Sequence, residues 1–187
     1  QEQYPNKAIV TAGQDIIASG AYYSAAATEE IFVDPASLVG SIGVISRGFG
    51  FTEALSRLGV ERRGYSAGAD KAGLDPFMPE DPKAVEDLEV MLSEIQDQFI
   101  SAVRQGRGER LNEQETDLFS GRTWTGQQAI DLGLADGFGD TKAIARLRFG
   151  TDEIVDYTAP RPLLDRLVER IGVSLRQGLF YSGFMAN

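Results

Sequence analysis

The sequence of 187 residues contains no histidine and no cysteine. Without histidine, a Ser-His-Asp triad cannot be built from this chain alone, and without cysteine there is no thiol nucleophile, disulfide or Cys/His zinc site. A nucleophile activated within this chain would therefore depend on lysine, aspartate, glutamate or tyrosine as its base. Lysines are few, and they are Lys7, Lys71, Lys83 and Lys142.

Long apolar runs are also absent. No stretch approaches the roughly 20 apolar residues of a membrane helix, and no signal peptide is visible. The carboxylates do not follow the spacing of a calcium loop, so neither a metal nor another cofactor is expected. The net charge of −10 disfavours binding to nucleic acid or to anionic lipid. We expect a soluble chain that is long enough for one domain with a hydrophobic core.

Ser19 stands where an apolar segment gives way to a run of small residues that can start a helix. One interpretation is a helix N-cap, in which the hydroxyl accepts a hydrogen bond from a free backbone N–H group, and on this segment alone we favour it. The other is a nucleophile whose oxyanion would be held by N–H groups at the positive end of the helix. Gly20 would let a substrate backbone approach closely.

Strands and helices alternate along the chain, which predicts an α/β architecture with crossover connections. Strands are predicted at residues 8–11, 30–33, 60–65 and 154–157, a compact turn at 121–126, and helices at 19–28, 51–58, 113–119, 127–132, 141–148 and from Arg161 onward. The clearest helix opens at Asp81, a capping residue followed by a proline, and presents apolar residues from Val85 to Val103 on one face. A loop around Lys71 precedes it, and the glycines at 40 and 43 indicate close approach of the backbone.

Four segments, taken in order, resemble the signal peptide peptidase A family of serine proteases and its SohB-like relatives. ASGAYY at residues 18–23 resembles the family's nucleophile segment, with alanine in place of the second glycine. GSIGV at residues 40–44 resembles a strand of the family, and Lys71 falls where its general-base lysine falls. GRTWTGQQA at residues 121–129, followed by GLAD at 133–136, resembles a further family segment. Their order and spacing make the joint match specific.

The resemblance implies a ClpP/crotonase-like α/β spiral of strands and crossover helices. It implies that Ser19 is the nucleophile, Lys71 the base, Ser41 the residue that orients the lysine amine, and Gly20 a backbone contact for the oxyanion or the substrate. Family members carry an earlier α/β segment whose S-P-G-G turn completes the oxyanion hole. Nothing here matches that turn, so we expect this N-terminal segment to lie outside the chain or on another polypeptide.

The resemblance also implies the organisation of the chain and its partners. We assign residues 1–150 to the protease domain, as the C-terminal part of that fold, and residues 151–187 to a strand and amphipathic helix appended to it. The expected substrates are apolar peptides such as remnant signal peptides, and the expected assembly is a homo-oligomeric ring in which the dyad can form across a subunit boundary. The full-length protein is expected at the inner membrane of the bacterial cell envelope, held there by a segment absent from this chain.

A Ser/Lys dyad makes a specific demand on its lysine. The serine hydroxyl is a poor nucleophile until a base takes its proton, and a lysine is a base only when it is neutral. The pKa of such a lysine must fall from about 10.4 to about 7–8, through burial or nearby positive charge. Without the resemblance, Lys71 would be interpreted as an ordinary solvated lysine.

Three other interpretations stay open. The first is a capsid-maturation protease of the same fold, and the second is a non-catalytic pseudo-protease subunit that completes a ring. The third is a crotonase-like acyl-CoA enzyme, which we rank last because no carboxylate stands in a comparable position.

Overall fold

The computed structural model describes residues 6–68, 71–114 and 117–159. The chain divides into two units, residues 1–152 and 153–187. In the second unit, residues 153–159 are exposed and form neither strand nor helix, so the strand predicted at 154–157 is wrong. The helix predicted from Arg161 lies outside the described residues.

The described part of the first unit contains two small three-stranded sheets. Their strands are β1 (Val10–Gly13), β2 (Ile16–Ala18), β3 (Glu30–Val33), β4 (Leu38–Gly40), β5 (Thr123–Thr125) and β6 (Gly137–Phe138). The first sheet has the order β1-β3-β6 and is parallel throughout. The second has the order β2-β4-β5, in which β2 and β4 are parallel while β4 and β5 are antiparallel. The mixed α/β architecture predicted from the sequence is confirmed at this level.

Helices cross between these strands or follow them. They are α1 (Gly20–Ala25), α2 (Thr52–Arg57), α3 (Pro82–Arg107), α4 (Gly126–Asp131) and α5 (Thr141–Phe149), with a 3₁₀ turn at Gly108–Arg110. The predicted cap at Asp81 is confirmed, because its carboxylate accepts a hydrogen bond from the Lys83 N–H at 3.0 Å. The Asp140 carboxylate caps α5 in the same way, by accepting from the Ala143 N–H at 2.8 Å. Within the described residues, no helix has the length and apolar composition that a membrane span requires.

Several short elements differ from the sequence predictions. Residues 60–65 are exposed and form no strand, because no strand of the described residues pairs with them in a hydrogen-bonded ladder. Residues 113–114 and 117–119 form turns instead of the predicted helix. The opposite error occurs at residues 121–126, where a predicted turn contains β5, which forms because it pairs with β4. The first strand begins two residues later than predicted, and α1 ends at Ala25.

One hydrophobic cluster joins both sheets to α1 and to the C-terminal half of α3. Its larger members are Ile17, Tyr22, Ile31, Val33, Val39, Ile42, Phe99, Val103, Leu118, Trp124, Leu132 and Leu134. The apolar face of α3 is therefore used unevenly. Phe99 and Val103 are buried, whereas Ile95, one turn earlier, is 42 % exposed.

An ion pair between the buried Arg107 and the partly buried Asp136 joins the end of α3 to the first sheet. Arg107 is 1 % exposed, and its Nη1 and Nη2 donate to the two carboxylate oxygens of Asp136, each at 2.8 Å. The Arg107 Nε donates to the carbonyl of Gly133 at 2.8 Å. Asp136 also accepts a hydrogen bond from the backbone N–H of Ile31, in β3, at 2.7 Å. The bidentate geometry and the extra bonds satisfy both charges, as a buried pair requires.

The surroundings of this pair fix its protonation and that of a neighbouring tyrosine. Burial acts to raise the pKa of the Asp136 carboxyl, but the hydrogen bonds from Arg107 and Ile31 outweigh it and hold that pKa below its usual value. Burial raises the pKa of the Tyr22 hydroxyl, which donates to the carbonyl of Leu134 at 2.9 Å. Tyr22 therefore stays a hydrogen-bond donor and ties α1 to the segment that carries Asp136.

We expect Asp136→Asn to lower the free energy of unfolding by about 3–5 kcal/mol, because it leaves the buried Arg107 guanidinium without its counter-charge. Urea unfolding at neutral pH measures this loss. Asp131→Asn is the matched control, since it removes an exposed carboxylate on α4 that bonds only to Gln127. We expect the control to stay within about 0.5 kcal/mol of the wild type.

The stability difference between wild type and Asp136→Asn should also depend on pH. The pKa of Asp136 is lower in the folded protein than in the unfolded chain, so in acid the unfolded state binds more protons. Its contribution is therefore fully present well above the unfolded value of about 3.9 and is lost as the pH falls through the folded pKa. The difference should shrink below about pH 4, and a difference that stays constant on acidification would contradict this assignment.

Candidate active site

Ser19 lies in the sharp turn between β2 and α1 and adopts a backbone conformation that normally favours glycine. Its φ is 54° and its ψ is −125°, and its N–H donates to the Gly40 carbonyl at 2.8 Å. Its side chain makes no capping hydrogen bond to α1, so the N-cap interpretation is wrong. A strained strand-to-helix turn of this kind exposes the serine hydroxyl at its apex, as in hydrolases of other folds.

Ser41 lies beside this turn in a second strained conformation. Its φ is 49°, and among the described residues only Ser19 and Ser41 combine a positive φ with a side chain larger than that of glycine. The hydrogen bond from Ser19 ends on Gly40, the residue that precedes Ser41, so the fold brings the two predicted serines to one place. The Ser41 N–H donates to the Arg122 carbonyl at 2.8 Å, while its hydroxyl bonds to no other described residue.

Gly40 allows Ser19 and Ser41 to lie side by side in their strained conformations. Its φ is +99°, and a Cβ there would lie 3.0 Å from Cδ1 of Trp124 and 3.3 Å from the Arg122 carbonyl oxygen. The close approach predicted from the glycines in this segment is confirmed at Gly40, and also at Gly43, whose Cβ would lie 2.9 Å from the Cα of Gly121. β5 thus packs directly on the strained turn.

A cavity of about 370 Å³ opens next to Ser19. Its lining consists of Ser19, Gly20, Tyr23, Gly43, Val44, Ile45, Ile95, Gln98 and Phe99. Tyr23 and Phe99 form one wall, with their rings edge to face and 5.2 Å between centroids. The cavity is therefore mainly apolar, and Ser19 supplies a hydroxyl at its edge.

The backbone of residues 43–45 forms another wall of this cavity. Their N–H and C=O groups make no hydrogen bond with other described residues, although the segment runs on directly from β4. An extended backbone with unpaired polar groups can accept an added strand. The Gly20 N–H, at the first position of α1, likewise has no partner within the helix. These free donors and acceptors surround Ser19.

Lys71 is not brought into this cavity. It lies in a turn closed by a hydrogen bond from its N–H to the Gly68 carbonyl at 3.4 Å, and its side chain is exposed. Its ammonium group makes no hydrogen bond or ion pair with the residues the structure describes. The described part of the chain also contains no group of carboxylates that could hold a metal ion.

Sequence reasoning missed two polar residues that matter to this region, Arg107 and Gln96. Both lie on the apolar face of α3, at helical spacing from Val103 and Leu92. A polar residue that interrupts an apolar stripe is the signal that could have identified them. Gln96 donates from Nε2 to the carbonyls of Ile42, at 3.3 Å, and Phe119, at 3.0 Å.

Comparison with known proteins gives one family match. Residues 1–150 match the family described as Peptidase family S49. The chain is 33% identical over 131 residues to the "Putative signal peptide peptidase SppA" of Enterococcus faecium, which covers 70% of this chain and 38% of that protein. It is 30% identical over 179 residues to the "Serine protease SPPA, chloroplastic" of Arabidopsis thaliana, and this match covers 90% of this chain and 26% of that protein.

A third relative has a different name. The chain is 45% identical over 161 residues to the "Na(+)/H(+) antiporter NhaA" of Brucella abortus, covering 86% of this chain but 22% of that protein. The antiporter name applies to that protein as a whole. This chain spans less than two thirds of the length of each of these relatives.

We expect Gly40→Ala to destabilise the protein more than Gly59→Ala does. Both glycines have a positive φ, but a Cβ at Gly59 would meet nothing within 4 Å. Gly59→Ala should therefore lower the free energy of unfolding by about 1–2 kcal/mol, the cost of a positive φ in alanine. Gly40→Ala should lower it by about 1–3 kcal/mol more, because the new Cβ must displace Trp124 or the Arg122 carbonyl. Urea unfolding of the two variants compares them, and equal losses would show that β5 does not constrain the turn.

Proposed function

The chain belongs to peptidase family S49, and on that premise we propose that it acts as a serine endopeptidase with Ser19 as nucleophile and Lys71 as general base. The observation that carries the proposal is the exposed hydroxyl of Ser19 in a strained turn, beside an apolar cavity and a backbone segment without hydrogen bonds to other described residues. Such strain is found where a structure holds a reactive group in position.

The chemistry begins with transfer of the Ser19 hydroxyl proton to a neutral Lys71 amine. The Ser19 Oγ then bonds to the carbonyl carbon of the peptide, and the carbonyl electrons move onto its oxygen. The free N–H of Gly20 donates to this oxyanion, at the end of α1 where the helix field is positive. The oxyanion electrons then reform the carbonyl, the C–N bond breaks, and the lysine gives its proton to the leaving amine. A water molecule, deprotonated by the lysine, attacks the acyl-enzyme, and Ser19 Oγ leaves and takes the proton back.

Lys71 must leave bulk water before it can act in this way. A lysine amine in water is protonated at neutral pH, and burial is what favours its neutral form. We propose that the exposed turn at Lys71 is covered when the site assembles, within one chain or between neighbouring copies in a homo-oligomeric ring. The Ser41 hydroxyl, which bonds to no other described residue, would then orient the amine.

The proposed substrate is an extended apolar peptide, such as a remnant signal peptide. Residues 43–45 offer unpaired backbone along which such a peptide can add as a strand. The cavity walls, formed by Tyr23, Ile95 and Phe99, favour an apolar side chain next to the cleaved bond. The name of the Enterococcus faecium relative, a putative signal peptide peptidase, agrees with this substrate class.

Three broader features belong to the same proposal. The two sheets would be part of a ClpP/crotonase-like spiral, in which successive strand and helix units stack. The full-length protein would work in the bacterial cell envelope, associated with the inner membrane. No cofactor takes part in the proposed reaction.

One observation favours a second candidate, a non-catalytic subunit of the same family. Lys71 is exposed and does not line the cavity beside Ser19. If assembly never covers this turn, the lysine stays charged and the hydroxyl has no base, so the chain would hold partners or complete a ring without cleaving peptides.

We expect Ser19→Ala to abolish hydrolysis of an apolar peptide and covalent labelling by a fluorophosphonate probe, because both need the Oγ nucleophile. The matched control is Ser24→Ala on the same helix, where the exposed hydroxyl donates to the Gly20 carbonyl at 3.1 Å. The control should keep at least half of the wild-type rate. Wild-type protein, in its intact assembly, that neither cleaves nor becomes labelled would support the non-catalytic candidate.

We expect Lys71→Met to lower kcat by about 10²–10⁴, the usual contribution of a general base. Lys71→Arg should not restore activity, because a guanidinium stays protonated in proteins. Lys142→Met, at an exposed position on α5, is the control and should leave kcat unchanged. Activity that survives in Lys71→Met would rule out the dyad while leaving Ser19 as a candidate nucleophile for another base.

A further inference from the structure

Gln96 is a polar residue on the apolar face of α3, and the proposed reaction gives it no role. Leu92 and Phe99 lie four residues before it and three after it, on the same side of the helix. Its Nε2 donates to the carbonyls of Ile42 and Phe119, at 3.3 and 3.0 Å. Its Oε1 is buried and has no hydrogen-bond partner among the described residues.

The two bonds and the unpaired oxygen together argue against a purely structural role. Two carbonyl acceptors require the amino group of the amide, so the side chain has one favourable orientation. That orientation leaves a buried acceptor unsatisfied, which costs free energy. An apolar residue would continue the stripe of α3 without this cost, so the stability of the core alone does not explain a glutamine here.

The bond to Ile42 identifies what Gln96 holds in place. Ile42 is fully buried, and its carbonyl is the last hydrogen-bonded backbone group before residues 43–45. Those three residues have no backbone hydrogen bonds of their own to other described residues, and they line the cavity beside Ser19. On the other side, the Ser41 N–H is fixed by the Arg122 carbonyl. Gln96 therefore anchors the start of the unpaired segment from α3, just as Arg122, next to β5, anchors Ser41.

We propose that Gln96 is a positioning residue that keeps residues 43–45 extended as the template along which a peptide substrate adds, an inference that rests on the proposed function. Strand addition needs a template that is already ordered. Without the anchor, the segment must become ordered when the peptide binds, and that free energy is lost from the affinity. Gln96 does not line the cavity, so it acts on peptide affinity and not on the attack by Ser19.

The test compares Gln96→Met, which keeps the length of the side chain without its amide, with wild type in the intact protein. Because two hydrogen bonds are lost, KM for an extended apolar peptide should rise about tenfold. The value of kcat and the rate of fluorophosphonate labelling should stay within about twofold, since the small probe does not need an added strand. Gln96→Glu, which turns the donor into a carboxylate facing two carbonyls, should raise KM further. It also provides a second variant if Gln96→Met does not fold.

The matched control is Gln127→Met, which removes an exposed glutamine amide on α4 that bonds to Asp131 at 3.1 Å, and it should change none of these quantities. Unchanged KM in both Gln96 variants of an active protein would overturn the positioning role and leave the proposed function standing. A parallel fall of kcat, labelling rate and thermal stability would also overturn it, because that pattern belongs to a structural residue. Wild-type protein that is neither labelled nor active would instead overturn the proposed function.

Discussion

The bidentate ion pair between Arg107 and Asp136 is the constraint on which the rest of the described unit depends. It joins the end of α3 to the segment before β6, and through the Ile31 N–H it also holds β3. The same segment receives the hydroxyl of Tyr22, from the short helix that follows Ser19. A helix of six residues is not stable in isolation, so the direction of α1 is set by these long-range bonds. The pair does not line the cavity, but the segment that carries Asp136 also holds the helix that follows Ser19, through Tyr22.

The strain at Ser19 and Ser41 is maintained by packing around Gly40. Ser19 and Ser41 lie close together in the fold, and each would leave its strained conformation if the surrounding backbone could move freely. Here the Gly40 carbonyl accepts from Ser19, the Arg122 carbonyl accepts from Ser41, and Trp124 leaves no room for a Cβ at Gly40. The buried cluster, of which Trp124 is a member, supplies the stability that offsets this local cost. The site and the core are therefore parts of one packing arrangement.

Helix α3 has two functions along its length. Its C-terminal half buries Phe99, Val103 and Arg107 in the core, while Ile95 and Gln98 face the cavity beside Ser19. Gln96 lies on α3 between Ile95 and Phe99, and its side chain bonds to the carbonyl of Ile42. One continuous helix thus forms part of the core and part of the cavity wall. Lys71, by contrast, lies in an exposed turn and does not line the cavity beside Ser19.

The sequence by itself determined the elements whose signals are local, and the family. Helices α3 and α5 each begin at an aspartate, Asp81 and Asp140. Each aspartate accepts a hydrogen bond from a backbone N–H two or three residues later, so both helix starts can be predicted from local sequence. The order of four short segments was enough to indicate the family that residues 1–150 match. The strand predicted at residues 60–65 was wrong, because a strand also needs a neighbouring strand to pair with, and local sequence does not indicate whether one is present. Only the tertiary structure decided that Ser19 adopts a strained turn and makes no cap, since the carbonyl that holds it comes from another strand. The roles of Arg107 and Gln96 were decided in the same way, because each depends on groups that are distant in the sequence and meet only when the chain has folded.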